Sequence, residues 1–249
     1  MKISIITVSY NSAATIAETL KSVATQTHNA VEHIVIDGAS KDDTLAVVRE
    51  HGRHVANIQS EPDRGIYDAM NKGVGLASGE IVGLLNADDH YAHHQVLATV
   101  AQTFHDPSID LVLGDVAFFR PGRPERLIRR YSAKKFEPKR LAWGWMPPHP
   151  GLFARRDVYQ RVGPFRVDYR IAGDFEWIVR AFGLRPIQYK HLPEILVHMR
   201  TGGISTGGWR NTLLLNKEVM RACRENGLST NWAKLLSRYP AKILEFVLA

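Results

Sequence analysis

Cysteine is almost absent from this chain: Cys223 is the one thiol among 249 residues, which excludes an intramolecular disulfide and any multi-cysteine metal site. Nothing therefore asks for an oxidising compartment, and a cytoplasmic location is the expectation. Long apolar runs are missing too. No stretch of about 18 apolar residues occurs, so no spanning helix is expected. The opening MKISIITVSYN has too short an apolar run for a signal peptide, lacks a small-residue cleavage site, and reads as a first core strand. No Gly-x-Gly-x-x-Gly follows that strand, which argues against an ordinary dinucleotide dehydrogenase. Internal repeats and low-complexity tracts are also lacking.

What is present is a chain with 45% apolar residues, long enough to bury one full core. Its formal charge of +7 is unevenly placed. Residues 120–140 hold nine Lys and Arg (120, 123, 126, 129, 130, 134, 135, 139 and 140) against Glu125 and Glu137, and nine minus two accounts for the whole +7. Such a patch attracts phosphates, anionic lipid or nucleic acid, or is simply a solvated face.

The first half alternates β-branched runs with helical spacing: Ile3 to Val8, then Ile16, Leu20 and Val23, then Ile34 to Ile36, then Leu45 and Val48. That alternation marks βαβ units and a parallel sheet, hence an α/β fold. A helical pattern from Ile66 to Ala77 leads to a strand at Ile81 to Leu85, and a further apolar run covers Leu111 to Leu113. Residues 121–150, rich in Pro, Arg and Trp, read as loop and short structure. A helix is expected over Asp174 to Phe182, a glycine-rich connection over Thr201 to Gly208, and helix over 209–249.

Ligands of such sheets bind beyond the carboxyl ends of the strands, where Tyr10-Asn11, Asp37-Gly38 and Asn86-Ala87-Asp88-Asp89 fall. Paired carboxylates after a buried strand suit a hard cation such as Mg2+ or Mn2+, but Asp pairs there also form turns or caps. Asp37 can accept hydrogen bonds from a nucleobase or close an Asx turn. Ser40-Lys41-Asp42-Asp43 has the look of a capping box.

Four ordered blocks carry a resemblance: Ile5 to Asn11 (IITVSYN), Val35 to Asp42 (VIDGASKD), Glu61 to Gly73 (EPDRGIYDAMNKG) and Leu85 to Asp89 (LNADD). In that order they resemble the family-2 inverting glycosyltransferases, especially the branch that makes bacterial exopolysaccharide, colanic-acid-like polymers and glycolipids. The resemblance thins through Gly173-Asp174-Phe175-Glu176-Trp177 to Gly202-Gly203-Ile204-Ser205 and covers residues 1 to about 206. It implies a GT-A fold, a Rossmann-like mixed and mainly parallel sheet flanked by helices, and a nucleotide-sugar donor. It implies a glycan or polyprenyl-linked glycan acceptor as well.

Carried over by position, Val8, Ser9, Tyr10 and Asn11 with Asp37 would hold the nucleoside. Asp63 and Gly65 would lie by the nucleotide, and Asn71 and Lys72 near the diphosphate or sugar. Asn86, Ala87 and Asp88 occupy the Asp-x-Asp signature, with Asp88 the metal ligand; Asp174 matches the catalytic base. Three departures stand out: Asn86 for the first acidic residue, Met70 where many relatives have Arg, and Gly173 for the Glu of a Glu-Asp pair. Met70 shifts neutralisation of the diphosphate toward the cation, Lys72 or Arg64.

Trp145, His149 and Glu176 are candidate acceptor contacts, and His198 is a candidate for acceptor or diphosphate. Each has a plainer reading, as core aromatic, exposed loop histidine or helix charge. The expected division is a catalytic domain over 1–206, with 1–115 for the donor and 116–206 for the acceptor, and a helical extension over 207–249. That extension sets Leu213, Leu214, Leu215 and Val219 beside Arg210, Lys217, Arg221 and Arg224 and ends in an apolar run at 243–248, so it suits an anionic membrane on the inner face, or packing against the domain or a second subunit. Rival readings are a nucleotidyltransferase, a nucleotide-sugar-binding relative without catalysis, and a nucleic-acid-binding protein, the last suggested by charge alone and not expected.

Overall fold

The computed structural model describes residues 1–120, 123–184, 186–202 and 208–239. The β-branched runs form a parallel core of four strands, β1 (Ile3–Ser9), β2 (Val31–Asp37), β3 (Val55–Ser60) and β4 (Ile81–Leu84), in the order β3-β2-β1-β4. The connecting helices are α1 (Ile16–Ala24), α2 (Thr44–His51) and α3 (Ile66–Leu76). Period-two alternation puts apolar side chains on both faces of this core. Ile6, Val8, Ile34 and Ile36 pack with Tyr67 and Met70 of α3, whereas Val35 on the opposite face packs under Ile16, Leu20 and Val48.

The second half continues the same sheet instead of forming its own. After β5 (His90–Tyr91) and α4 (Val96–Thr103) come β6 (Leu111–Arg120), β7 (Arg123–Tyr131), β8 (Leu152–Arg155), α5 (Arg156–Val162), α6 (Gly173–Leu184) and β9 (Tyr189–Arg200). The order beyond β4 is β8-β6-β9-β5, with β7 on β6. Strand β8 runs antiparallel between β4 and β6, and β5 returns to pair with β9, so residues from both sides of position 115 interleave in one sheet.

Two sequence expectations are corrected. Residues 121–150 are not all loop, because Arg123–Tyr131 pairs antiparallel with β6. Its basic side chains are partly held: Arg129 lies over Phe118 and Tyr131, and both Arg130 Nε and Nη2 donate to buried Asp115. The side chains of residues 121–126 lie outside the described ones. Nor is the described part of the region after 207, residues 208–239, an appended extension. Helices α7 (Trp209–Glu225) and α8 (Trp232–Leu236) place Val219, Met220, Ala222, Cys223 and Leu235 in the main core with Trp177 and Ile178 of α6. The apolar run at 243–248 and the motif residues Gly203, Ile204 and Ser205 lie outside the described residues. No helix among the described residues is long and apolar enough to cross a membrane.

Candidate active site

The carboxyl ends of β1, β2 and β3 are tied together by short polar side chains. Asp37 faces Ser9 in the β1–β2 register and is fully buried. Four donors fill its carboxylate: Ser9 Oγ (3.2 Å), Ser40 N (2.9 Å), Ser40 Oγ (2.5 Å) and Ser60 Oγ (2.7 Å). That is the Asx-type turn, so in this arrangement Asp37 has no oxygen to offer a nucleobase. Asn11, in the left-handed region at φ 49°, accepts from Lys41 N at 2.8 Å and donates its own N–H to Ser40 Oγ at 2.8 Å. Asn11 and Asp37 thus build the loops. The capping-box reading gives way as well: Asp42 accepts from Ala13 N and from Thr44 N and Oγ1, while Asp43 makes no side-chain cap to α2.

What these loops leave facing outward is Tyr10, 62% exposed, and Asp63. Asp63 Oδ1 accepts from Gly65 N at 2.9 Å. Its Oδ2 lies so close to Gly38 that a Cβ there would come within 2.5 Å of it and 3.4 Å of the Tyr10 ring. Gly38 therefore lets Asp63 and Tyr10 meet over the end of β2. Gly65, at φ 108°, opens α3 with nothing within reach of its Cα face, so a ligand can approach the backbone there.

Two residues expected at the diphosphate are engaged elsewhere. Asn71 exchanges two 2.8 Å hydrogen bonds with the backbone of Phe165, linking α3 to the loop before α6. Lys72 pairs with Glu61 at 2.8 Å and donates to Pro62 O. Met70 is core, and exposed Arg64 is held by Asp68 at 2.9 Å. The cation that does approach the acidic loop is Arg200, at the end of β9.

The loop Asn86–Asp89 follows β4, with Ala87 N donating to Val8 O. Asp89 is buried, accepts from Arg200 N at 3.1 Å, and is pushed up to about 8 by burial and by the neighbouring Asp88 charge. Asp88 is half-buried, and desolvation raises its carboxyl while Arg200 opposes the shift. A carboxylate whose charge the protein leaves under-compensated fits a divalent cation, with the Asn86 side-chain carbonyl as a neutral oxygen beside it. Among the described residues no cluster of three or more His, Cys, Asp or Glu stands ready for a metal, so the remaining ligands would come from the substrate and water. His198 is not a free loop histidine: its Nδ1 lies 3.3 Å from His90 Nε2.

Asp174 lies across α3 from these loops, in the first turn of α6. Its Oδ1 accepts from Phe175 N at 2.8 Å and lies 3.3 Å from Tyr67 Oη, whose one proton is directed to Ile171 O at 2.7 Å. Burial, and then the Asp174 charge, hold the Tyr67 phenol well above its ordinary value, so it stays a donor. A Cβ at Gly173 would fall 2.7–2.9 Å from the Tyr67 ring, which explains glycine where a Glu-Asp pair was expected. A cavity of about 400 Å³ lies between the two sides, lined by Arg64, Gly65, Ile66 and Tyr67 from one and Val167 to Arg170 from the other. A similar cavity on the outer side of α7, by Lys217 and Trp232, touches none of the candidate site residues.

The acceptor candidates separate. His149 is buried against Phe165 and close enough to Asp174 for that charge to oppose the downward shift burial imposes on its imidazole. Trp145 is half-buried with Arg140 over its ring at 5.9 Å. Glu176 is corrected: it is 1% exposed and forked to Arg180 one turn on at 2.8 and 2.9 Å, a core ion pair with no face toward the cavity.

Residues 4–163 match the family described as glycosyl transferase family 2. The chain is 30% identical over 248 residues, 94% of its length and 92% of the relative's, to the PGL/p-HBAD biosynthesis glycosyltransferase of Mycobacterium tuberculosis. Among solved structures it resembles S. aureus TarS in complex with UDP-GlcNAc at TM-score 0.71 and 20% identity, over 93% of this chain and 68% of that one. It also resembles the mannosyltransferase PcManGT of Pyrobaculum calidifontis, in complex with GDP-Man and Mn2+, at TM-score 0.64 and 18% identity, over 98% and 80%. These likenesses bear on the fold, which is the GT-A type.

Proposed function

The chain belongs to glycosyl transferase family 2 and is a glycosyltransferase, and from that premise we propose that it moves a sugar from a nucleoside-diphosphate donor to a glycan or lipid-linked glycan acceptor with inversion. The observation that carries this reading is the placement of Asp174 3.3 Å from Tyr67, which lines one wall of the cavity together with Gly65, the residue that donates to Asp63. The proposed donor loop and the proposed base are thereby joined through Gly65 and Tyr67 at the start of α3.

Tyr10 packs beside the base and Asp63 Oδ2 accepts its N–H, the role that buried Asp37 gives up to hold the turn. Val8 and Ser9 set the strand end beneath them. Asp88 and the Asn86 carbonyl hold Mg2+ or Mn2+, which when bound supplies Lewis-acid neutralisation of the leaving diphosphate. Arg200 adds positive charge at the same loop. Asp174 takes the proton of the acceptor hydroxyl as its oxygen attacks the anomeric carbon opposite the diphosphate, and one carboxylate on that side suffices for inversion. His149 and Trp145 border the acceptor.

Support for the donor class comes from TarS with UDP-GlcNAc and PcManGT with GDP-Man and Mn2+, and for a glycolipid acceptor from the mycobacterial relative's name. Exposed Trp143, Trp209 and Trp232, with Lys234 over Trp143 and Arg210 over Trp209, suit approach to a membrane carrying such an acceptor. The test is a thermal-shift screen of UDP, GDP, dTDP and their sugars with and without Mn2+. A Mn2+-dependent rise with a nucleotide sugar, followed by an inverted anomeric product, supports the reading. Thermal response to none of them, or a product of retained configuration, counts against it.

A further inference from the structure

The turn Arg170–Ala172, which delivers the chain into α6 and so sets Asp174, takes part in no strand pairing. Its three consecutive backbone N–H groups converge instead on one side chain of α7. Arg170 N donates to Glu218 Oε1, and Ile171 N and Ala172 N donate to Oε2, each at 2.8 Å. Glu218 is buried, and among the described residues no cation pairs with it, so these N–H groups are what compensate its charge. Successive N–H groups closing on a carboxylate form a nest that fixes the backbone carrying them. The middle residue of that turn, Ile171, also offers the carbonyl to which Tyr67 Oη donates.

The same face of α7 holds the segment just before. Arg221 and Glu225, three and seven residues beyond Glu218, recur on one side of a helix. Arg221 pairs with Asp168 and lies 4.5 Å over the Tyr169 ring, and Glu225 accepts from Arg166 Nη1 at 2.6 Å and Tyr169 Oη at 2.9 Å. Residues 167–170 are one wall of the 400 Å³ cavity. That wall, and the start of α6, are thus positioned by a helix that contributes no strand to the sheet and no side chain to the cavity.

We propose that Glu218 is a positioning residue for glycosyl transfer, acting through the Arg170–Ala172 turn to place Asp174 and the Tyr67 hydroxyl that contacts it. The inference rests on Asp174 being the base. Gln at 218 keeps the length but offers one oxygen and presents an NH2 to the N–H donors; Asp keeps the charge but stops one methylene short.

The test compares wild type, E218Q, E218D and E218A in hydrolysis of UDP-glucose and GDP-mannose with Mn2+, in UDP and GDP affinity, and in amide hydrogen exchange. Expected for E218Q is a kcat loss on the order of tenfold or more, because a small misplacement of a reacting group is costly, while donor KM stays within about twofold. Exchange should quicken at 166–176 and remain unchanged over 1–60, UDP and GDP affinity should hold, and E218D should recover part of kcat. Unchanged kcat in E218Q overturns the inference alone, as does exchange that quickens throughout the chain with KM and kcat failing together. A wild-type protein inert toward both donors, and toward the wider set of nucleotide sugars, overturns the role of Asp174 and this inference with it.

Discussion

The two sides of the candidate site are built by different means. On the donor side, the loops after β1, β2 and β3 are cross-linked by neutral side chains, Ser9, Ser40 and Ser60 saturating Asp37 and Asn11 holding Lys41 N, that reach no more than about one βα unit along the chain. On the acceptor side, contacts run between distant parts of the sequence and rely on charge: Glu218 to 170–172 and Arg221 to Asp168. Asn71 and Tyr67 of α3 bridge the two, to Phe165 and Asp174. A donor wall made of short local bonds forms with the sheet; an acceptor wall tied by a C-terminal helix depends on the whole chain.

The comparison breaks most sharply at Asp174. Asp174→Asn keeps the first-turn hydrogen bonding but removes the base, so kcat should fall by roughly 10²- to 10⁴-fold while UDP or GDP still raises the melting temperature as in wild type. Nucleotide binding lost together with turnover would mean the walls are not separable. The donor-side counterpart is Gly38→Ala, whose Cβ would push Asp63 Oδ2 aside at little cost in stability, since a side-chain end can move. Donor KM should rise on the order of tenfold, the value of a charge-assisted hydrogen bond, with kcat at saturation nearly unchanged. A kcat loss instead would place Asp63 in the chemistry. Tyr67→Phe tests the bridge: removing the bond to Ile171 O should cost about 1 kcal/mol of stability and several-fold in kcat with KM retained. Equal losses in KM and kcat would make Tyr67 a donor contact.

The same division decides what was legible. β1, β2 and β4 show as β-branched runs because both faces are buried, and α3 shows by its apolar spacing ahead of Ser78-Gly79. β3 did not, because it is the exposed edge of the sheet, with Ala56, Asn57, Ile58 and Ser60 facing solvent. β7 was hidden behind its arginines, whose charge is taken up by Asp115 and by aromatic rings that only the folded sheet brings near. In the site, the positions proposed to carry chemistry, Asp63, Asp88 and Asp174, were singled out by their motifs. The saturation of Asp37 was not legible, since it depends on three serines meeting one carboxylate. Gly173 looked like a defect in a pair until Tyr67 was seen to need the space. Glu218 carried no signal at all, because its partners are backbone N–H groups 46–48 residues away.

The smallest effect on activity, and the finest probe of the contrast, lies beneath the donor wall. Buried His33 contacts Thr7 Oγ1 at 2.9 Å and His54 at 3.0 Å, and burial, with the His54 charge, pushes its imidazole down to about 3. The unfolded chain, titrating near 6.5, therefore takes up the proton first, so the stability of this group is complete above pH 6.5 and is lost as pH falls toward 3. At pH 5 the loss is about 2 kcal/mol, one and a half units at about 1.36 kcal/mol each. On the acceptor wall, hydrogen bonds and charge from Arg166 and Arg221 hold Asp168 below the usual carboxylate range, and Arg221 and Tyr169 lower Glu225, so neither weakens between pH 7 and 5. Asp89 runs the other way, raised by burial and gaining on acidification, which makes a variant comparison necessary. His33→Gln, able to bond both Thr7 and His54 but not to titrate, should leave turnover at pH 7.5 nearly unchanged. Its melting temperature should fall less than that of wild type between pH 7 and 5, and wild-type amide exchange should quicken first in β1 and β2. Parallel melting curves for the two proteins over that range would show that the acid-sensitive element lies elsewhere than under the donor wall.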